Sequence, residues 1–540
     1  MRLTPSAHVD TFCRDSLPPP DSWPELRFDL PELHYPDRLN CAVELLDRTI
    51  GRHGGDRPCL RSPDGPVWTY DDLLRVSGAV AGVLVDELGV VPGNRVLLRG
   101  PNNPWLVACW FAALRIGAVV VTTMPLLRSG ELSTIHEIAR IDLALCDARF
   151  TDDLCTALPP SVPVLEYGGD GEDDLTQRAR RRERQDPTGP AVETAADDVA
   201  LLAFTSGTTG RPKATMHFHR DVLANADTFS RHVLRPAADD VFTGTPPLAF
   251  TFGLGGLVVF PLRVGASTLL LEKATPDELA DAVAGHRATI CFTAPTAYRA
   301  MLLAGRLDRL ASLRRCVSAG EHLSAATWHA FHEATGVRII DGIGSTEMLH
   351  IFISAADDDI RPGSTGRPVP GFTATIVDAE GEPAPPGSIG RLAVKGPTGC
   401  RYLAGDRQSA YVQNGWNITG DTFVEDADGY FWYQARSDDM IVSAGYNIAG
   451  PEVEEALLGH SDVSECAVVG VPDEARGQLT KAVVVLRDGV VGDPAKATEL
   501  QDFVKQQIAP YKYPRVVEFA DALPRTSTGK LQRFRLRQRG

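Results

Sequence analysis

The sequence predicts an α/β fold with a largely parallel sheet. Apolar runs of strand length alternate with helical patterns through the N-terminal part of the chain. The 540 residues are 43% hydrophobic and 23% charged, a globular composition with apolar content for several domains or subdomains. An apolar run at residues 199–204 reads as a short buried strand and feeds directly into residues 205–213, TSGTTGRPK.

Residues 1–36 are proline-rich, with Pro18, Pro19 and Pro20 in a row, and read as an irregular arm on the surface. Residues 39–50 have helical spacing. Residues 68–73, WTYDDL, read as a strand end passing into a helix with Asp71 as N-cap. Strands follow at 95–98 and 118–122, with a helix at 105–116 between them. Residues 170–198 carry GEDD and RARRRERQD and read as a solvated loop. Residues 221–234 form an amphipathic helix burying Val222, Leu223, Ala226, Phe229 and Val233.

The formal net charge of −16 argues against sequence-independent nucleic-acid binding and fits an enzyme of small metabolites. The arginines near residue 180 are interleaved with acids and lack aromatics, so they mark no nucleic-acid site. The 10 cysteines include no C-x-x-C pair and read as reduced thiols. The N-terminus has no apolar signal region, and Arg115 and Arg263 interrupt the longest apolar runs. A cytoplasmic protein without membrane contact is expected.

The 205–213 stretch has the chemistry of a triphosphate cradle. Gly207 and Gly210 let the backbone turn and approach an anion, and successive N–H groups form a nest. Thr205, Ser206, Thr208 and Thr209 add hydroxyl donors, and Lys213 adds positive charge. The spacing is not that of a Walker A loop, because Pro212 stands where its second glycine would fall. Two further patterns fail their tests. His219-Arg220-Asp221 lacks a kinase's asparagine spacing and partner motifs, and Gly253-Leu254-Gly255 lacks the third Rossmann glycine.

Downstream motifs follow in order: SAGE at 318–321, DGIGSTE at 341–347, WNITGD at 416–421, RSDD at 436–439, SAGYNIAGPE at 443–452 and PRTSTGK at 524–530. With TSGTTGRPK they resemble the adenylate-forming superfamily of acyl- and aryl-CoA ligases, peptide-synthetase adenylation domains and luciferases, over roughly residues 40–535. The resemblance implies a large N-terminal domain of layered sheets and helices, residues 1–438. A small mobile α+β C-terminal domain, residues 439–540, would carry the catalytic lysine.

The resemblance also implies roles. Lys530 would bridge the substrate carboxylate and the α-phosphate, Thr346 would contact phosphate, and Glu347 would hold Mg²⁺. Thr205, Ser206, Gly207, Thr208, Thr209, Gly210, Lys213, Gly320, Glu321, Asp341, Gly342, Asp421 and Arg436 would bind the nucleotide. Asp421 would accept from ribose hydroxyls; for Asp421 and Arg436 a surface ion pair is the competing reading. Asp438 matches the hinge, and Ser443, Ala444, Gly445 and Tyr446 match a loop that lines the tunnel for a thiol arm. The chain departs from the pattern at Ala435 and Ala444, where glycine is usual.

The stretches FTFGLG at 250–255 and GIGSTEMLHI at 342–351 resemble benzoate–CoA ligases, and TMHFHRD at 215–221 resembles the 2-aminobenzoate-activating branch. Thr251, Phe252, Ala319, Gly344, His350 and Ile351 would line an aromatic acid pocket. An ordinary core hydroxyl and imidazole compete as readings of Thr251 and His350. An ortho substituent would lie near the mouth, within reach of those two side chains, and a para substituent would point to a closed apolar end.

The implied activity is ATP-dependent ligation of an aromatic acid, favoured 2-aminobenzoate, to coenzyme A, with ATP, Mg²⁺ and CoA required. Alternatives are a benzoate or 2-hydroxybenzoate ligase, a free-standing enzyme loading a carrier protein, and a non-catalytic nucleotide sensor. A homodimer stays open as the assembly.

Overall fold

The computed structural model describes residues 3–184, 189–205, 212–378, 380–403, 407–436, 439–443, 446–473, 476–508, 512–525 and 531–538. The alternating pattern builds two α/β sheets. One runs Val164–Tyr167, Leu143–Asp147, Arg95–Arg99, Val119–Thr123, Val199–Thr205 and Lys213–Phe218, parallel except for the last pair. The other is nine-stranded. Its parallel centre holds Arg315–Ser318, Ile290–Thr293 and Val241–Gly244, and Ile339–Gly344 turns back antiparallel into Ile351–Ser354. Helix Pro104–Arg115, buried on all sides, packs with helix Tyr70–Gly82 in the apolar core common to both sheets. All-round burial is what an almost unbroken apolar helix requires.

A third, five-stranded antiparallel sheet includes Ile389–Lys395, Trp416–Glu425 and Phe431–Arg436. The smaller C-terminal unit has its own sheet, with long strands Val463–Asp473 and Gly477–Leu486 paired antiparallel. Helices Gly450–Leu458 and Pro494–Gln507 cover it over a separate core of Val453, Leu457, Val468, Val484, Leu500 and Val504. This is the expected large α/β domain followed by a small α+β one.

Several local expectations are corrected. The N-cap of helix Tyr70–Gly82 is Thr69, whose hydroxyl accepts from Asp72 N while Asp72 accepts from Thr69 N. Asp71 sits inside the first turn. The reciprocal box satisfies two orphan N–H groups where Asp71 alone would satisfy one. Within 170–198, Leu175–Glu183 is a helix capped by Asp174, with Leu175, Thr176 and Ala179 buried. Arg178 and Arg182 pair with Glu87 and Asp86, so the charge block is the wet face of a packed helix. The helix expected at 221–234 starts at His219, and Asp221 caps it by accepting from Phe218 N at 2.9 Å. The N-terminal arm is pinned, with Cys13, Trp23 and Leu33 buried. Its Ser6 and Ala7 donate to Asp198.

All ten cysteines are free, and only Cys155 is exposed. Among the described residues, no helix is long and apolar enough to cross a membrane.

Candidate active site

The TSGTTGRPK stretch connects the two antiparallel strands Val199–Thr205 and Lys213–Phe218, and Thr205 lies directly opposite Lys213. Ser206, Gly207, Thr208, Thr209 and Gly210 lie outside the described residues. The strand pair fixes both ends of the stretch and aims Lys213 at one small area. Its ammonium sits 5.8 Å from the Tyr402 ring centre. Burial, helped by Arg407, lowers the pKa of Lys213 from its ordinary value, and Glu347 opposes that shift.

Segment 400–403 lies against the outer strand of this pair. Met216 N donates to Arg401 O, Leu403 N donates to Ala214 O, and Thr215 bridges Tyr402. Arg401 and Asp221 form a fully buried ion pair behind this segment, and the guanidinium stacks 4.0 Å from the Phe218 ring centre. The segment is therefore held on both faces, and Tyr402 Oη donates to Glu347 Oε1 at 2.6 Å.

From the same strand, His217 reaches the other side of the GSTE turn. Its Nε2 lies 2.8 Å from Thr346 O. A carbonyl only accepts, so Nε2 carries the proton, and burial pushes the imidazole pKa down to about 3, which keeps it neutral. Ser345 Oγ lies 3.3 Å from Tyr411 Oη. Ser345, Thr346 and Glu347 are thus held by Tyr411, His217 and Tyr402 in turn, three contacts the sequence reading missed. These partners are remote in sequence, and although His217 lies in the TMHFHRD stretch, nothing there names its partner.

The remaining expected nucleotide residues gather at strand ends of the nine-stranded sheet and on the third sheet. Gly320 has φ +91°, a left-handed conformation that favours glycine, and turns the chain after Arg315–Ser318. Glu321 accepts from Arg525 at 3.1 Å. Asp341 lies on Ile339–Gly344, where burial pushes its pKa up to about 7, with Ser318 and the Gly342 backbone opposing. Asp421 and Arg436 are cross-strand partners; the Arg436 side chain lies outside the description. Lys530, Asp438, Ala444 and Gly445 lie outside the described residues. Ser443 and Tyr446 pair across a two-stranded turn.

Of the residues expected to line an aryl pocket, Phe252, Gly344 and His350 meet. Phe252 opens helix Thr251–Leu254 and lies 5.6 Å from the His350 ring and 5.5 Å from Phe292. His350 also meets Phe260 at 4.6 Å and Phe229 at 5.5 Å. A Cβ on Gly255 would stand 2.3 Å from the His350 ring, and one on Gly256 would stand 2.5 Å from Phe292. That explains Gly255 and Gly256 as spacing for rings, while a Cβ on Gly253 would strike the Pro247 carbonyl at 2.2 Å. A Cβ on Gly344 would strike the His350 backbone at 2.6 Å, and Leu349 takes φ +70° to deliver His350 inward.

One expectation about this pocket is corrected. His350 is not near a mouth. It is 3% exposed, enclosed by four phenylalanines, and neither ring nitrogen completes a hydrogen bond. Burial pushes its pKa down to about 3, with the Phe252 backbone opposing. The deep end therefore holds one neutral polar ring among apolar ones. Thr251 and Phe252 are half-buried, Ala319 and Ile351 are buried, and Gly344 is exposed.

A phosphate-type hairpin, a carboxylate held beside it and a neighbouring aromatic cluster are an arrangement for joining an acid to a nucleotide. Similar proteins share nearly the whole chain. Benzoate–CoA ligase of Thauera aromatica is 35% identical over 522 residues, 94% of this chain and 97% of that one. The crystal structure of the anthranilate CoA ligase AuaEII in complex with anthranoyl-AMP superposes with a TM-score of 0.87 at 35% identity, covering 94% of this chain and 98% of that one. MatB from Rhodopseudomonas palustris, 29% identical over 92% of this chain and 98% of its own, superposes with a TM-score of 0.84 when ATP-bound. The apo form of MatB gives 0.76. Residues 46–402 match the AMP-binding enzyme family and residues 452–530 its C-terminal domain, and the chain belongs to the AMP-binding enzyme family.

Proposed function

We propose that this chain is an ATP-dependent aryl-acid–CoA ligase that favours 2-aminobenzoate. The observation that carries the reading is the adjacency of two groups. Lys213, Tyr402 and Glu347 converge at the GSTE turn, and His350 of the Phe252–His350 cluster follows Glu347 by three residues.

In the first half-reaction a carboxylate oxygen attacks the α-phosphorus of ATP, an acyl–phosphate bond forms, and pyrophosphate leaves. Two anions must meet, so the site needs fixed cations and donors. Lys213 and the 205–213 backbone supply these for the phosphates, and Lys530 supplies charge where the two reacting groups join. Asp421 and Arg436 hold the ribose, and Gly320, Glu321, Asp341 and Gly342 hold the base side. Glu347 would hold Mg²⁺: it is half-buried beside Lys213, and the Tyr402 hydrogen bond fixes one oxygen and orients the carboxylate. The ion would neutralise phosphate charge.

In the second half-reaction a thiol attacks the acyl carbon and AMP leaves. The small domain, taken as residues 439–540, turns about Asp438 and brings residues 443–446 to the site. CoA is the favoured thiol over a carrier protein, in line with the CoA ligases that align over nearly the whole chain.

The test is AMP and pyrophosphate release from a panel of aromatic acids with ATP, Mg²⁺ and CoA. The reading expects release that depends on both acid and CoA. No pyrophosphate with any aromatic acid would overturn it.

A further inference from the structure

The docked small domain touches the large one through charges that none of the expected catalytic roles explains. Arg525 lies five residues before Lys530, and its backbone bridges to Leu531, so residues 525 and 531 bracket the segment that carries the lysine. Its guanidinium crosses to the large domain and donates to Glu321 Oε1 at 3.1 Å, on the turn opened by Gly320. The pair is mostly covered, with side chains 27% and 18% exposed. Burial raises the Glu321 carboxyl, and Arg525 is the strongest group opposing that.

A second contact lies beside it. Glu455, on helix Gly450–Leu458, accepts from Ala326 N at 3.1 Å. Ala326 is in the first turn of the eleven-residue helix Ala325–Thr335, whose N-terminus favours a carboxylate. His322 Nε2 lies 4.0 Å from the same carboxylate.

Arg525 also pairs with Glu465 of its own domain. When the small domain leaves, the guanidinium keeps that partner, so undocking strands no buried cation. A contact with one permanent and one releasable acid suits a domain that must dock and leave in every cycle. The chain also superposes better on ATP-bound MatB than on the apo form.

We propose that Arg525 is a positioning residue for the first half-reaction. Its pair with Glu321, together with Glu455 on the N-terminus of helix Ala325–Thr335, holds the small domain where Lys530 meets the nucleotide. Release of these contacts frees the domain for thioester formation. The proposal rests on the ligase reading above, and the experiment separates the two.

The experiment uses the full chain with Arg525→Ala, Arg525→Lys and Glu455→Ala. Three quantities are measured: ATP–pyrophosphate exchange with 2-aminobenzoate, thioester formation from pre-made aryl-adenylate and CoA, and hydrogen–deuterium exchange of residues 320–328. Arg525→Ala and Glu455→Ala should each slow pyrophosphate exchange roughly tenfold. Both should raise deuterium uptake at 320–328 and leave thioester formation within about twofold of wild type. Arg525→Lys should recover most of the loss, and added salt should slow exchange in wild type more than in the Ala variants.

Exchange at the wild-type rate in both Ala variants would overturn the proposal while leaving the ligase reading intact. So would an equal fall of both half-reactions in Arg525→Lys, which keeps the charge and limits the risk of misfolding. Wild-type protein that releases no pyrophosphate would sink the ligase reading; deuterium uptake at 320–328 that is unchanged in the Ala variants would still sink the docking contact on its own.

Discussion

Tyr402 Oη donates a 2.6 Å hydrogen bond to Glu347 Oε1 across 55 residues of sequence. The bond is made by two loops that only the fold brings together: the GSTE turn after Ile339–Gly344, and segment 400–403 lying along Lys213–Phe218. The neighbouring carboxylate and burial both raise the phenol pKa, so Tyr402 stays protonated and is always the donor. A carboxylate given one fixed donor has one orientation, which a metal and a triphosphate both require.

Tyr402→Phe removes that donor and little else. A hydrogen bond to a charged group is worth about 1.5–3 kcal/mol. The Mg²⁺ concentration for half-maximal pyrophosphate exchange should rise roughly ten- to a hundredfold, with the melting temperature nearly unchanged. A magnesium titration of the exchange reaction checks it, and an unchanged midpoint would remove Tyr402 from the site.

Asp221→Ala tests the scaffold behind Tyr402. Asp221 and Arg401 are both fully buried and paired. Removing one partner leaves an uncompensated buried guanidinium, at about 3–5 kcal/mol. Thermal unfolding should show a large fall in melting temperature. Adding Arg401→Met to Asp221→Ala should recover part of it, because an apolar pair avoids the stranded charge.

These two pairs show what could be read without a structure. The phosphate stretch, the GSTE turn and the ring-spacing glycines are local, so their residue types and order carry the signal. Tyr402, His217 and Arg525 act through long-range contacts; His217 and Arg525 lie within the TMHFHRD and PRTSTGK stretches, but a motif does not name the remote partner each side chain meets. The helix at Leu175–Glu183 was hidden for a different reason. Its buried stripe is only Leu175, Thr176 and Ala179, too thin to outweigh its arginines until the partner acids on the neighbouring turn are known. His350 lies deeper in the aromatic cluster than the sequence implies, since sequence gives residue types and not their depth.

Stability should fall on acidification between about pH 6.5 and 3. Burial pushes His217, His219 and His350 down to about 3 and His322 down to about 4, all from an ordinary 6.5. Between those values the unfolded chain binds more protons, so stability is present above 6.5 and is lost as pH drops, by about 1.4 kcal/mol per unit for each histidine. Asp341, pushed up to about 7 from 3.8, works the other way across that range and offsets one of them. With four histidines against one aspartate, the net is roughly three protons between about pH 6.5 and 4. Denaturant midpoints measured from pH 7 to pH 5 should fall, and His350→Phe should flatten the slope.

Lys530→Ala should abolish adenylation while largely sparing thioester formation from a pre-made acyl-adenylate. In the proposed mechanism its charge would stabilise only the first transition state, where carboxylate and phosphate meet. ATP-dependent turnover near the wild-type rate would reject the assignment.

The proposed substrate preference rests on the aromatic cluster. A ring entering between Phe252 and the exposed Gly344 backbone, carboxylate toward the phosphates, places its ortho position beside Thr251, the half-buried hydroxyl at the start of helix Thr251–Leu254. Its para position faces the interlocked rings of His350, Phe260 and Phe292. A para group is therefore opposed by packing, and forcing extra atoms into such a core costs about 1–3 kcal/mol. An ortho amine left without the Thr251 hydroxyl loses a hydrogen bond worth about 0.5–1.5 kcal/mol. The wild type should prefer 2-aminobenzoate over 4-aminobenzoate by roughly ten- to a hundredfold in kcat/KM. Thr251→Ala should move preference toward unsubstituted benzoate by up to about tenfold. His350→Ala, which opens the deep end, should instead raise kcat/KM for 4-aminobenzoate. The measurement is kcat/KM for benzoate, 2-aminobenzoate, 2-hydroxybenzoate and 4-aminobenzoate in the three proteins. Equal ortho and para values in the wild type would refute the orientation of the ring, and an unchanged ratio in Thr251→Ala would remove that hydroxyl alone from the account.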